Sequence, residues 1–432
     1  MQVEIITIGN EVLSGRTLDT NFAFLARALE EASVRVAWHS TVGDTAERIA
    51  EALRRALVRA DGVVVTGGLG PTPDDITRKA VAGVLGRPLQ LDDHVLTRIR
   101  ERGRRAGRKL LASVESQALL PRGATAWPNP LGTAPGLLLI ENDKPVILLP
   151  GVPLEMEALA SEFVVPYLRG RTGLAVESFT FRTAGVYESQ LHERIGVVPQ
   201  GWPGATLAYL PSYFGVDLRV TVTGPDRAAV RKNAARAYAE LKGIVAPVTY
   251  AEGARVIEEV VGEALVAKGW KVATAESCTG GLLARRITDV PGASRYFERG
   301  FITYSNASKV DLVGVSASDI EAHGAVSAPV AEQLAEGARR RAGVEMGVGI
   351  TGIAGPEGGS EEKPVGLVFI GLASPGGQAV RRYRFAGTRK TIRERAAQAA
   401  LDLMRRELAG LPLDPSLEPS PAPAAQPGAP AT

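Results

Sequence analysis

The 432-residue chain has one cysteine, four histidines and only 5% aromatic residues. A single cysteine excludes an intrachain disulfide and points to a reducing compartment. Scarce histidine leaves little imidazole for acid–base work, and only His323 lies beyond Gly281. No apolar run approaches the roughly 18 residues of a membrane span. The opening stretch MQVEIITIGNEVLSG lacks the basic start and long apolar core of a secretory signal. A formal net charge of +3 is too small to mark a dedicated nucleic-acid or membrane partner. The expected setting is the cytoplasm.

What is present is aliphatic. The chain is 45% hydrophobic and 22% charged, a composition that suits α/β domains with large aliphatic cores; the length allows about three domains. Over residues 1–170, apolar strands such as VEIITIG and DGVVVTGG alternate with amphipathic helices such as TLDTNFAFLARALEEA and AERIAEALRRALVRA. That alternation predicts a doubly wound, mostly parallel sheet with its ligand site at the carboxyl ends of the strands. Residues 171–252 read as a small α+β domain. Residues 253–411 form a second α/β unit. The Pro/Ala-rich residues 412–432 cannot bury enough surface to order and are expected to be disordered.

In the first unit, TGGLGPTPDD sets Gly67, Gly68 and Gly70 directly after an apolar strand, where the backbone can approach an anion. Asp74 and Asp75 would repel a phosphate there unless a divalent cation lay between. Asp74 can equally be read as the N-cap of the following helix. The run RIRERGRRAGRKL, from Arg98 to Leu110, carries seven basic residues and one acid; it reads as a solvated surface or as help in holding a phosphate-rich substrate. In the middle domain, YLPSYFG clusters Tyr209, Tyr213 and Phe214, which predicts a hydrophobic contact against a neighbouring domain or chain. No GXXG loop or stacking platform of the RNA-binding type is present there.

Three stretches of the last unit converge: AESCTGG, FERGFITYSNASKVDLVGV and GVGITGIAGPEGGSEEKPVG. In each, a strand should run into a polar or glycine-rich turn, gathering three turns at one sheet edge. Ser277 and Cys278 are adjacent nucleophiles whose side chains diverge at a strand end, so one faces the pocket. Cys278 turned to the core would be inert. Gly280 and Gly281 open a helix whose N–H groups can receive an oxyanion or phosphate. Lys309 falls in the first turn of a helix capped by Ser305 or Asn306, where the macrodipole and burial lower its pKa. A neutral lysine can deprotonate a serine, and Tyr304, five residues earlier, could relay the proton or hold the ammonium. Taken alone, the residues also allow an exposed helix lysine and a capping serine. His323 reads as structural.

Together the motifs are specific. TIGNEVLSGRTLDTN, VGD, TGGLGPTPDDIT, PNPLGTAPG and LPGVPLEM resemble the N-terminal domain of the CinA (competence/damage-inducible protein A) family, itself similar to the molybdopterin-binding MoaB/MogA fold. SVESQALLP keeps that family's glutamine–alanine pair, with different residues before it. The middle segment is similar to the family's KH-like insert. AESCTGG, FERGFITYSN with its following lysine, HGAVS and GIAGPEGGSEEKPVG resemble the CinA C-terminal domain, similar in turn to the stand-alone nicotinamide mononucleotide deamidase PncC. The resemblance implies an α/β protein: a MoaB/MogA-like doubly wound sheet, a KH-like α+β domain and a C-terminal α/β deamidase domain.

It further implies a bifunctional hydrolase. The C-terminal domain would convert nicotinamide mononucleotide to nicotinic acid mononucleotide and ammonia without a cofactor. Ser277 would be its nucleophile, Lys309 the base and Tyr304 a supporting hydroxyl, with Glu276, Thr279, Gly280, Gly281, Asn306, Thr351, Gly352 and Arg395 around the substrate. The N-terminal domain would hydrolyse ADP-ribose-type diphosphates with a divalent metal (Mg, Mn or Co) on Asp74 and Asp75. There, Glu11, Asp19, Asn21, Gly67, Gly68, Thr133 and Glu155 would contact substrate. The implied partners are small nucleotides and a second copy of the chain, with neither membrane nor nucleic acid. The competing reading is a nucleotide-binding, pterin-binding or competence-associated protein whose N-terminal domain is inactive.

Overall fold

The computed structural model describes residues 1–105 and 112–413. The end of the basic run and nearly all of the Pro/Ala-rich tail lie outside these residues. The chain forms two compact units, Met1–Glu177 with Thr223–Arg231, and Ser178–Val222 with Lys232 onward.

The first unit is built on strands β1 (Gln2–Ile8), β2 (Arg35–Val42), β3 (Gly62–Thr66), β6 (Thr125–Trp127), β7 (Gly136–Glu141) and β8 (Lys144–Leu149), with β4 (Leu89–Leu91) and β5 (Leu119–Pro121) paired separately. The sheet order is β2-β1-β3-β8-β7-β6. Its first four strands are parallel, and β7 and β6 add an antiparallel edge. Alternation along the strands explains the two covered faces. Ile6, Val63, Val65 and Leu148 join one core with the helix Ala46–Arg59. Ile5, Val64 and Ile147 join the other with Leu25 and Leu29 of the helix Thr20–Glu31. That helix starts three residues later than its pattern predicts, because the Asp19 carboxylate accepts from Phe22 N and caps it.

The second unit carries two sheets. The first has the order β10-β11-β9-β12, from β9 (Ala175–Thr183), β10 (Ala205–Pro211), β11 (Val216–Gly224) and β12 (Thr249–Glu252). The second has the order β14-β13-β15-β16-β17, from β13 (Val272–Glu276), β14 (Phe297–Ile302), β15 (Met346–Gly352), β16 (Leu367–Ser374) and β17 (Gly377–Arg384). Because β14, β13 and β15 are parallel neighbours, their following turns meet at one edge, as the three motifs predict. The helix Arg389–Ala409 packs one face of this sheet through Ile392, Ala396, Ala400 and Leu401. Ala184 of the middle domain belongs to the same core, and Tyr250 packs on it.

The helix Ala328–Ala342 lies on the opposite face over a bed of glycines. A Cβ at Gly347 would sit 2.1 Å from Ala335 O, one at Gly349 2.6 Å from Ala331 O, and one at Gly371 2.2 Å from Ala331 O. The helix backbone therefore occupies the space that side chains would need. Replacing Gly349 by Val should lift the helix from the sheet and destabilise the protein by about 1–3 kcal/mol or more. Denaturant unfolding of the variant checks this, and an unchanged midpoint would contradict the close approach.

Candidate active site

β13 is buried at every position and ends at Glu276, which has no exposed surface. The chain then turns sharply through Gly280 (φ +59) and Gly281 (φ +90), conformations that suit glycine. The Glu276 carboxylate sits inside this turn. It accepts from Gly281 N at 3.1 Å, Leu283 N at 3.0 Å and Ala284 N at 2.8 Å. The chain thus supplies its own anion to the helix Leu282–Thr288. This corrects two sequence expectations. Glu276 holds the turn rather than substrate, and the Gly281 amide is not free for a phosphate. The Gly280 amide is likewise taken, by Ser277 O.

The turn fixes Ser277, whose N–H donates to Ile350 O of β15. Ser277 is 9% exposed and its Oγ lies 3.2 Å from Lys309 Nζ. Lys309 is 1% exposed. It stands on the helix Asn306–Val313, whose N-cap is Ser305, accepting from Ser308 N; Asn306 is exposed in the first helical position. Nζ also reaches Thr303 O at 3.0 Å and Tyr304 O at 3.4 Å. Among the described residues no carboxylate lies within ion-pair distance of it. Burial lowers the Lys309 pKa, opposed only by the neighbouring Cys278. A neutral amine fits these partners: its two N–H bonds serve the two carbonyls and its lone pair can take the Ser277 proton.

Cys278 turns into the core beneath the sheet. Burial pushes its thiol up to about 12. Tyr304 departs from expectation. Its backbone carbonyl meets Lys309, but its side chain is exposed and its hydroxyl accepts from Arg389 Nη2 at 2.7 Å. Thr351 is buried and donates its hydroxyl to Ala325 O at 2.7 Å, pinning the HGAVS loop. Gly352 is required by packing, since a Cβ would sit 2.7 Å from Val368 Cγ2. Arg395 points elsewhere, donating to Ala386 O. The arginines that reach the turns are Arg389, which donates to Gly355 O, and Arg393, which donates to Thr279 O. Positions 389 and 393 share a helix face, whereas 395 lies well around it; that phase was the available signal. Three buried polar atoms here have no protein partner among the described residues: Thr279 Oγ1, Thr303 Oγ1 and Arg393 Nε.

The N-terminal candidate residues assemble at the carboxyl ends of β1, β3 and β8. A cavity of about 390 Å³ is lined by Glu11, Asp74, Asp75, Thr133, Glu155 and the Gly67–Gly68 turn, with Asp44 as a further carboxylate that sequence reading missed. Glycines seat these acids: a Cβ at Gly132 would fall 1.9 Å from Glu155 Oε2, and one at Gly70 2.4 Å from Asp75 Oδ2. Asn129 donates to Glu155 Oε2 at 2.7 Å. Arg78, buried behind the turn, donates to Leu69 O; burial lowers its pKa against the attraction of Asp75.

Asp74 does not cap the helix, which begins at Thr77 with Ile76 before it, while Asp75 accepts from Thr72 N and Oγ1. Asp19 is committed to its helix cap and to His39 at 3.2 Å, and Asn21 to Thr66 Oγ1 and Gly151 O. Neither lines the cavity. No three His, Cys, Asp or Glu side chains among the described residues converge to enclose a metal ion by themselves. The donor chemistry still fits a hard divalent cation, which commonly takes one or two carboxylates and completes its shell with substrate phosphate oxygens.

A serine and a buried lysine thus meet at the carboxyl ends of parallel strands, within a three-part α/β chain. Each part is matched by a family model: residues 4–170 by the probable molybdopterin binding domain, 178–251 by the damage-inducible protein CinA KH domain, and 254–408 by the CinA C-terminal domain. The chain belongs to the CinA family. It is 43% identical to a CinA-like protein of Gemmatimonas aurantiaca over 414 residues, covering 95% of this chain and 97% of that one. It is also 43% identical to a CinA-like protein of Desulfovibrio desulfuricans over 420 residues, covering 96% and 98%. Among solved structures it is similar to the protein CinA of Thermoplasma acidophilum, at 40% identity and TM-score 0.35, covering 37% of this chain and 94% of that one. No described helix is long and apolar enough to cross a membrane.

The thiol supplies a direct check on the site. Ellman's reagent near neutral pH should leave Cys278 unmodified in the native protein and titrate it fully after denaturation. Rapid reaction in the native state would show that Cys278, not Ser277 alone, faces the pocket.

Proposed function

We propose that the C-terminal domain hydrolyses the carboxamide of nicotinamide mononucleotide by a serine–lysine mechanism. The carrying observation is the Lys309 Nζ–Ser277 Oγ pair at 3.2 Å, buried with no carboxylate in ion-pair distance among the described residues. Neutral Lys309 takes the Ser277 proton as Oγ bonds to the carboxamide carbon. The resulting tetrahedral adduct collapses, its C–N bond breaks, and Lys309 returns the proton to the departing nitrogen, which leaves as ammonia. Water, deprotonated by the same lysine, then cleaves the ester to nicotinic acid mononucleotide and restores Ser277. Arg389 and Tyr304 at the rim, with the unpartnered Arg393 Nε and Thr279 Oγ1, offer donors for the nucleotide.

In the N-terminal domain the carboxylate-lined cavity supports hydrolysis of an ADP-ribose-type diphosphate. Asp74 and Asp75 would hold the divalent cation, which when bound would polarise the diphosphate and orient water. Glu155, fixed by Asn129, and the Gly67–Gly68 turn would position the substrate. Cytoplasmic residence and a homodimeric assembly complete the proposal.

Ser277→Ala and Lys309→Ala should each cut ammonia release from nicotinamide mononucleotide by roughly three orders of magnitude or more; a variant retaining the rate would sink the mechanism. Because burial lowers the Lys309 pKa, the reactive neutral amine accumulates as pH rises. The kcat/KM profile should therefore climb to a plateau with its midpoint below the ordinary lysine value of about 10.4. A rate that falls across this range would refute the base assignment. Chelation should stop diphosphate hydrolysis and spare ammonia release, and loss of both would contradict two independent sites.

A further inference from the structure

The second unit holds another cavity, of about 340 Å³, whose lining includes none of Ser277, Lys309, Arg389 and Arg393. The middle domain contributes Tyr213 and Phe214; the C-terminal domain contributes Tyr383, Phe385 and Gln398. Tyr383 and Phe385 stack with ring centroids 5.3 Å apart and planes 11° from parallel. The Arg286 guanidinium lies 4.7 Å from the centroid of the Phe214 ring. Flat aromatic surface is thus concentrated around a space large enough for one ring system with a substituent.

Gln398 supplies a directional group. It is 5% exposed, and its Oε1 accepts from Arg286 Nη2 at 2.6 Å. A guanidinium only donates, so the oxygen must face it and the amide cannot flip. The Nε2 group is left buried with no partner among the described residues. Orphaned buried donors are rare in folded proteins and call for an explanation. Asp402, also in the lining, is neutralised by Arg405 and Arg406, both at 2.8 Å. The buried polar capacity left over is therefore a donor, Gln398 Nε2; Glu188, the other carboxylate of the lining, is exposed.

We propose that this cavity is a second ligand site, for a small planar heteroaromatic molecule whose carbonyl oxygen accepts from Gln398 Nε2. The occupant would touch both domains at once. The site is independent of the deamidase chemistry and stands or falls separately from it.

Isothermal titration of the full chain with isonicotinamide and with 4-methylpyridine tests the assignment. The two rings match in shape, but only the first carries a carbonyl. Isonicotinamide should bind saturably and at least about tenfold tighter. Gln398→Glu keeps the side-chain size and the Arg286 contact while exchanging the donor for an acceptor, so it should abolish that preference. Phe214→Leu, at a partly exposed ring, should weaken both ligands and serves if the glutamate variant fails to fold. Absence of saturable isonicotinamide binding, a preference that survives in Gln398→Glu, or undiminished binding of both ligands in Phe214→Leu would overturn the proposal.

Discussion

Among the described residues Lys309 is buried against neutral oxygens alone, and the C-terminal site is organised around that constraint. A charged ammonium without a counter-charge is costly in such surroundings, so the balance shifts toward the amine. Two carbonyls at the end of β14 and the Ser277 hydroxyl match what an amine can offer and accept. Glu276, the carboxylate that ends β13, could have undone this by pairing with the lysine. Three backbone amides of the glycine turn hold it instead. The same contacts that shape the turn thus keep the lysine without an acidic partner.

The N-terminal site uses the same architectural position, the carboxyl ends of parallel strands, with the opposite charge arrangement. Five carboxylates line its cavity, and the nearby cation, Arg78, is buried behind the glycine turn rather than offered to a ligand. Glycines at positions 70 and 132 let the acids seat closely against the backbone. One site withholds negative charge from a lysine, and the other collects it.

Much of this was legible in the chain. Strand and helix alternation marks the doubly wound first unit, and three strand-to-turn motifs foretell one shared edge, because parallel neighbours bring their ends together. Ser277 and Lys309 could be named since one follows a strand directly and the other sits one turn into a capped helix. What sequence did not show was which donors and acceptors the protein itself consumes. Glu276, Gly280, Gly281 and Thr351 all look available until their hydrogen bonds are counted. Tyr304 has the right position but the wrong direction, its ring leaving for Arg389 while its carbonyl stays. Arg395 fails by helical phase. Asp19 and Asn21 have the chemistry of ligands and are occupied by a helix cap and by strand-end contacts.

The middle domain and the C-terminal domain share one core within the second unit. Ala184 is buried among Ile392, Leu401 and Met404, and Tyr250 packs on the same cluster. Arg406 donates to Pro247 O, and Arg286 lies against Phe214. The linker near residue 253 is therefore a seam in the sequence but not in the solid. Cutting there would uncover an apolar surface and strip partners from two nearly buried arginines. A shorter chain carrying only the last α/β segment would need different residues at those positions, so composition along the outer face of the helix Arg389–Ala409 should report whether a given relative keeps a middle domain.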